Sequence, residues 1–434
     1  MPFPSGSVLS IACLALSLAP CHAGEVEVRA TPAGYRVFVD GSEYTIRGAG
    51  GTDHLEELVS CGGNTIRTWG QDQLDSRTWP DGTTESVLDR AERLGLKVVV
   101  GYWLEHPAHG FNYADEAAVQ AQLDDVRSFI ESHKDHPAVL MWCIGNEVAG
   151  GDTPARPFIE IERAARVAKE ADPNHPVMTA LAGVWGGQVA MFNQHCKHVD
   201  VLGVNIYGAA PAISQEILRQ GYTGPYAITE FGPIGHWESG VTAWGAEIEQ
   251  PTSAKAAMYR IAYELAVDAQ RDRCLGAFAF LWGNKQERTW SWYSMFLPSG
   301  EKTEAVDEIS HLWTGHWPKN RAPSVGWLKT DAPTHGAKGG STMRVSVPVS
   351  DPENDPLATE WFFTRESTDK QHGGAPEAAP SRLEAEIVDS TDHAATLRIP
   401  KEPGPYRLFV VVRDGKGGAG TANLPFLVVG ADAN

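Results

Sequence analysis

Two apolar runs in this chain each end at a glutamate: Leu140-Met141-Trp142-Cys143-Ile144-Gly145-Asn146-Glu147 and Tyr226-Ala227-Ile228-Thr229-Glu230. A short apolar run of this kind reads as a buried strand. A carboxyl at its end therefore sits at the rim of the sheet that the strand joins. Two carboxyls facing each other over a cleft are the minimum set for breaking a glycosidic bond. One must be protonated, so that the leaving oxygen does not depart as an alkoxide, and the other must be ionised to meet the oxocarbenium-like carbon. Mutual repulsion and partial burial drive the two proton affinities apart.

The elements that would position them repeat. A short apolar strand, a loop and an amphipathic helix recur from residue 44 onward, with strands expected near Tyr44–Gly48, Asn64–Trp69, Lys97–Trp103, Val139–Ile144, Pro176–Ala180, Val201–Ile206, Tyr226–Thr229 and Leu275–Leu281. Helical spacing is evident over Glu85–Leu94, Glu116–His133, Phe158–Glu170, Ser253–Gln270 and Thr303–Trp313. Strictly alternating strands and helices imply parallel strands with right-handed crossovers. Eight units of this size predict a closed (β/α)8 barrel. An open dinucleotide-binding sheet would carry a full GxGxxG turn, which Gly48-Ala49-Gly50-Gly51 lacks. In a barrel the reacting groups lie at the C-terminal strand ends. Glu147 and Glu230 end strands four and seven by this count, facing each other across the mouth.

The segment from His136 to Glu147 resembles the acid/base strand of family 2 glycoside hydrolases, which include β-galactosidases, β-glucuronidases and β-mannosidases. The Asn146-Glu147 pair and Thr229-Glu230-Phe231-Gly232 resemble motifs shared by the wider superfamily of retaining barrel glycosidases. The resemblance spans roughly residues 40–316. It implies Glu147 as acid/base and Glu230 as nucleophile, with carboxyls about 5–5.5 Å apart in a retaining enzyme. It further implies that Asn146 bonds a sugar hydroxyl, and that Tyr207, in Asn205-Ile206-Tyr207, orients the nucleophile. It matches Arg67 to a residue holding the nucleophile carboxylate, and Trp282 to an aromatic platform under the sugar. Family 2 enzymes normally carry two β-domains before the barrel. Here the barrel is expected almost directly after the N-terminal segment, as in a trimmed relative. Barrels that remodel β-1,3-glucan share Gly-Asn-Glu-Val and Glu-aromatic-Gly motifs, which implies a β-linked glucan or related saccharide as substrate, with hydrolysis and transfer both open.

Other residues are expected at the mouth because they fall at strand ends or just beyond. Trp69, Trp103 and Trp237 offer flat apolar faces suited to pyranose rings; Trp185, Trp290 and Trp292 fall in similar places. Glu105-His106 follows strand three, and His106 is expected to contact a substrate hydroxyl. Glu287 follows strand eight, to bond a sugar or to pair with Arg288. The histidines show no metal-ligand spacing, and the chemistry needs no cofactor.

Composition narrows the partners. A formal net charge of −19 over 434 residues repels nucleic acid and anionic membranes. All of the 14 tryptophans except Trp327 and Trp361 precede residue 320, so aromatic faces concentrate with the barrel. Residues 1–23 read as a secretory signal with an apolar stretch from Val8 to Pro20, giving an expected secreted or periplasmic location without a membrane span. Of the 6 cysteines, Cys61, Cys143, Cys196 and Cys274 lie beyond it. They lack metal spacing, and an oxidising compartment would permit disulfides; Cys143, in a strand, is expected as a buried thiol.

The pattern changes after Trp317. The barrel is expected over 24–318, a linker over 319–325 and an all-β module over 326–434. Six or seven β-rich segments predict a sandwich resembling immunoglobulin-like or cadherin-like repeats, acting as spacer or prop. Its acidic turn, Asp351–Leu357, reads as a capped turn in preference to a Ca²⁺ loop. A non-enzymatic glycan-binding or wall-structural protein on such a barrel is the competing reading.

Overall fold

The computed structural model describes residues 24–148, 154–371, 373–391 and 393–430. The expected N-terminal signal and the loop Ala149-Gly150-Gly151 lie outside these. Eight parallel strands close a barrel: β1 (Ile46–Gly50), β2 (Thr65–Arg67), β3 (Lys97–Tyr102), β4 (Val139–Asn146), β5 (Val177–Ala182), β6 (Val201–Asn205), β7 (Tyr226–Phe231) and β8 (Cys274–Ala279). They pair in chain order and β8 pairs β1. The strands are buried on both faces, as expected when a sheet closes inside a ring of helices.

The helices follow from their spacing. In Glu116–His133, Val119, Leu123, Val126 and Ile130 form the buried stripe, and Asp115 caps the first turn by accepting from the Ala117 and Ala118 amides at 3.1 Å. Arg156–Ala171, Thr252–Ala266 and Glu304–Thr314 hold the positions expected from periodicity. Three short helices, Leu55–Ser60, Gln188–His195 and Ile213–Arg219, carry too few turns to show a period.

The bottom of the barrel is plugged by a three-stranded antiparallel sheet, Val26–Thr31, Gly34–Val39 and Ser42–Tyr44. Its last turn is Asp40-Gly41, with φ 50° and 76°, the positive pair that a two-residue hairpin of the right twist requires. Val26 and Val37 join the barrel-interior cluster with Val99, Leu140, Met141, Met178 and Phe278. This seals one end, so substrate access is through the other.

The C-terminal module has two facing sheets, one of four strands and one of five. Met343, Val345 and Leu397 from one pack with Trp361, Leu408, Val410 and Phe426 from the other. The turn at Asp351 is capped by its own carboxylate, which accepts from the Glu353 and Asp355 amides at 3.0 and 2.8 Å. The expected linker is pinned: the Ala322 amide donates to Asp307 at 2.6 Å, and Ser324–Val325 pairs with Val349–Ser350. No disulfide joins Cys61, Cys143, Cys196 and Cys274, all of which are buried free thiols. Among the described residues, no helix is long and apolar enough to cross a membrane.

The module does not hang free. The outer face of its larger sheet, Phe362, Phe409 and Val411, packs on Leu297 and Trp290 of the barrel. Trp290, expected at the mouth, is therefore an interface residue. Beside it a buried polar network crosses the junction. Glu249 accepts from Lys255, Ser291 and Thr289 on the barrel side and from Asn423 of the module. Lys255→Met leaves Glu249 buried without its counter-charge. We expect a loss of about 3–5 kcal/mol in urea unfolding; a loss under about 1 kcal/mol, as for an exposed pair, would refute the network's role.

Candidate active site

The open end of the barrel holds a cavity of about 840 Å³ lined by Glu147, Glu230, Asn146, Tyr207, Trp69 and Trp103, among others. Its two glutamates are placed by different local means. Glu230 lies in β7, one residue before its end. Glu147 follows β4 where the backbone turns sharply, with Gly145 at φ 81° and Glu147 itself at φ 51°. A Cβ at position 145 would come 2.7 Å from the Val148 side chain, so glycine is required there. A glutamate in the left-handed region is unusual, and such conformations gather at functional sites.

Glu230 is held by three donors. Arg67 donates to its Oε1 at 2.9 Å, Trp69 Nε1 to the same oxygen at 2.7 Å, and the Tyr207 hydroxyl to Oε2 at 2.7 Å. Arg67 is fully buried, and also donates to Asn146 Oδ1 at 2.6 Å and to the Thr229 carbonyl at 3.1 Å. Three donors, one of them a guanidinium, thus fix the orientation of both carboxyl oxygens. Burial, then the charge of Glu230, pushes the Tyr207 hydroxyl well above its ordinary value, so it stays a neutral donor.

Glu147 is held differently. Burial, then the charge of Glu230, raises it from its ordinary 4.5 to about 7, against the pull of the Asn205 hydrogen bond and Arg67. Asn205 Nδ2 reaches Glu147 Oε1 at 2.8 Å and Asn146 Oδ1 at 3.1 Å, while Thr229 donates to Asn205 Oδ1 at 2.7 Å. A continuous chain of hydrogen bonds therefore joins the two carboxyls through Asn205, Asn146 and Arg67.

The structure brings together most of the residues expected at the site and moves some. Trp237 stands at the rim, 62% exposed, edge-on to Tyr207. Trp103 lines the cavity, edge-on to His109. Trp282 is in the cavity lining, as expected, but its ring is fully buried, stacked on Trp313 and donating to the His54 carbonyl, so the indole is not an open platform. Phe280, two residues earlier, lines the cavity and packs on Trp69, Tyr207 and Tyr293. His106 is also corrected. It is 3% exposed, packed against Trp103 and His109, and it is His109 that reaches the cavity. Glu287 lines the cavity but pairs with Lys285 at 2.9 Å, not with Arg288, which turns to Glu377. Trp292 is buried in the core and Trp185 lies outside the cavity lining. Asp53, Gln73, His236 and Lys285 line the cavity without having been expected. Gln73 sits in a single 3-10 turn, Gln71–Leu74, and the others in loops, where no periodicity marks orientation.

The chain matches the family described as Glycosyl hydrolases family 2, TIM barrel domain, over residues 82–233, which include both glutamates. It is similar to a beta-glucuronidase of Paenibacillus borealis, at 26% identity over 163 residues, or 33% of this chain; the match spans 26% of that protein. Among solved structures, it resembles a beta-D-glucuronidase of Dictyoglomus thermophilum at 18% identity and a TM-score of 0.49, covering 67% of this chain and 54% of that one. It also resembles a glycosyl hydrolase family 2 member of Bacteroides cellulosilyticus at 12% identity and a TM-score of 0.44, covering 93% and 65%.

Proposed function

We propose that this chain cleaves β-linked glycosides with retention of configuration, on a β-linked glucan or a related saccharide, by hydrolysis or by transfer. The observation that carries this reading is one cavity shared by two glutamates with contrasting neighbours: three donors, one a guanidinium, hold Glu230, while Glu147, partly buried, accepts from one amide. Glu230, oriented by its three donors, attacks the anomeric carbon as the carboxylate. Glu147, protonated near neutral pH, passes its proton to the leaving oxygen, and a glycosyl ester of Glu230 forms. Glu147, now a carboxylate, takes the proton of a water or of an acceptor hydroxyl as that oxygen displaces Glu230. Asn146 is oriented by its neighbours: Arg67 and Asn205 both occupy its Oδ1, which leaves the Nδ2 amino group to donate to a substrate hydroxyl. We read residues 1–23 with this function, as a signal for export towards extracellular saccharide.

The test is turnover on paired α- and β-linked 4-nitrophenyl glycosides of glucose, galactose, mannose and glucuronic acid, with the first-formed sugar followed by NMR. We expect β-selective cleavage and a β-configured first product. A first-formed α anomer from a β substrate would overturn the double displacement. Longer products from an oligosaccharide would assign transfer.

A further inference from the structure

The same cavity has a wall that the barrel does not supply. Gly373, Gly374, Ala375 and Pro376 line it beside Glu147 and Glu230, yet they belong to the connection between two module strands, Ala358–Arg365 and Arg382–Glu384. The tip is built to approach closely. Gly373 and Gly374 turn the chain at φ 61° and 72°, and a Cβ on Gly374 would lie 3.0 Å from Lys285 Nζ.

The tip is clamped on both sides. Behind it, the fully buried Glu377 carboxylate accepts from the Arg288 amide at 2.6 Å, from Arg288 Nη1 at 2.7 Å and from the Gln371 amide at 3.0 Å. At the tip, Lys285 Nζ donates to the Gly374 carbonyl at 2.7 Å while paired with Glu287. Before it, Lys370 pairs with Glu247 at 2.7 Å. Glu247 belongs to the loop after β7, and Lys285 and Arg288 to the loop after β8, so module and barrel hold one another at the mouth.

Where this wall stands follows from barrel order. With β8 paired to β1 and all eight strands in sequence, β8 lies opposite β4. Glu147 ends β4 and the wall is bonded to the loop after β8. The leaving group must lie on the side of the acid that protonates it, so the sugar being transferred points the other way. We propose that the C-terminal module closes the cleft on that side, and that Gly373–Pro376 restricts the enzyme to one terminal sugar unit. This rests on the glycosidase reading above and adds to it the part of the chain that sets substrate length.

The experiment uses the full chain, the 4-nitrophenyl β-monoglycoside that it cleaves fastest, and the matching β-linked disaccharide glycoside. Deleting Gly373–Pro376 is expected to raise kcat/KM for direct release of the disaccharide, relative to the monosaccharide, by about tenfold or more. Glu377→Gln loosens the clamp and should move the ratio the same way by less. Ala375→Trp removes none of the clamp's bonds and adds bulk at the wall; KM for the monoglycoside should rise about tenfold with kcat within a few-fold. If the deletion fails to fold, the Ala375→Trp split between KM and kcat still decides. An unchanged product ratio in a folded deletion variant, or an unchanged KM in Ala375→Trp, overturns the wall alone. A wild type inert towards every glycoside overturns the glycosidase reading and the wall with it.

Discussion

Glu230→Ala is expected to lower turnover by about 10⁴-fold or more, because the proposed double displacement loses its nucleophile. Arg67, Trp69 and Tyr207 all aim at its two oxygens, and no other carboxylate on β7 reaches the cavity. Adding a small anion such as azide should restore turnover and give an α-configured product, since a single displacement inverts the carbon that two displacements retain. Full activity in Glu230→Ala, or a rescued product of β configuration, would refute the assignment. The conservative Glu230→Gln carries a second expectation. It leaves the buried Arg67 without its counter-charge and removes the repulsion that helps raise Glu147, so Glu147 should titrate below 7 in this variant. Carboxyl NMR measures that shift directly.

Glu147→Gln is expected to cost about 10²–10⁴-fold with poor leaving groups and much less with an activated aryl group that needs no proton. The pH profile follows from the carboxyl's value of about 7. Wild-type activity should fall as pH rises through 7, because the acid form is lost, and that limb should be absent from Glu147→Gln. Stability must carry the same signature. Glu147 has a folded value of about 7 against an ordinary 4.5, so its contribution is complete below pH 4.5 and is lost as pH rises through 7. The full loss is on the order of 3 kcal/mol. Thermal unfolding at pH 5 and pH 8 should therefore show the variant gaining on wild type at the higher pH. A gap that stays constant would mean that Glu147 titrates normally.

Several features were decided locally, and these were legible. Six of the eight barrel strands, β3 to β8, announce themselves by apolar runs, because a strand buried on both faces has little polar side to show. Glu147 and Glu230 stand out because a charge ending such a run must face the barrel mouth. Asn146, Asn205, Tyr207 and Arg67 came with the motifs around them, and the structure links all four to the two glutamates in one hydrogen-bond network.

What tertiary structure alone decided has a common cause: side-chain direction beyond a strand end depends on what is packed there. Trp282 and Phe280 are both aromatic, two residues apart and part of the cavity lining, yet the indole is fully buried against Trp313 while the phenyl packs on Trp69 and Tyr207 beside the glutamates. His106, expected at the mouth, is buried, and His109, three residues on, lines the cavity for the same reason. Arg288 stands next to Glu287 in the chain but pairs with Glu377, 89 positions away. The module's own strands were legible from their alternation, but the wall its Gly373–Pro376 tip forms beside Glu230 was not. No periodicity within one element encodes the docking of another, because that depends on two surfaces meeting after each has formed.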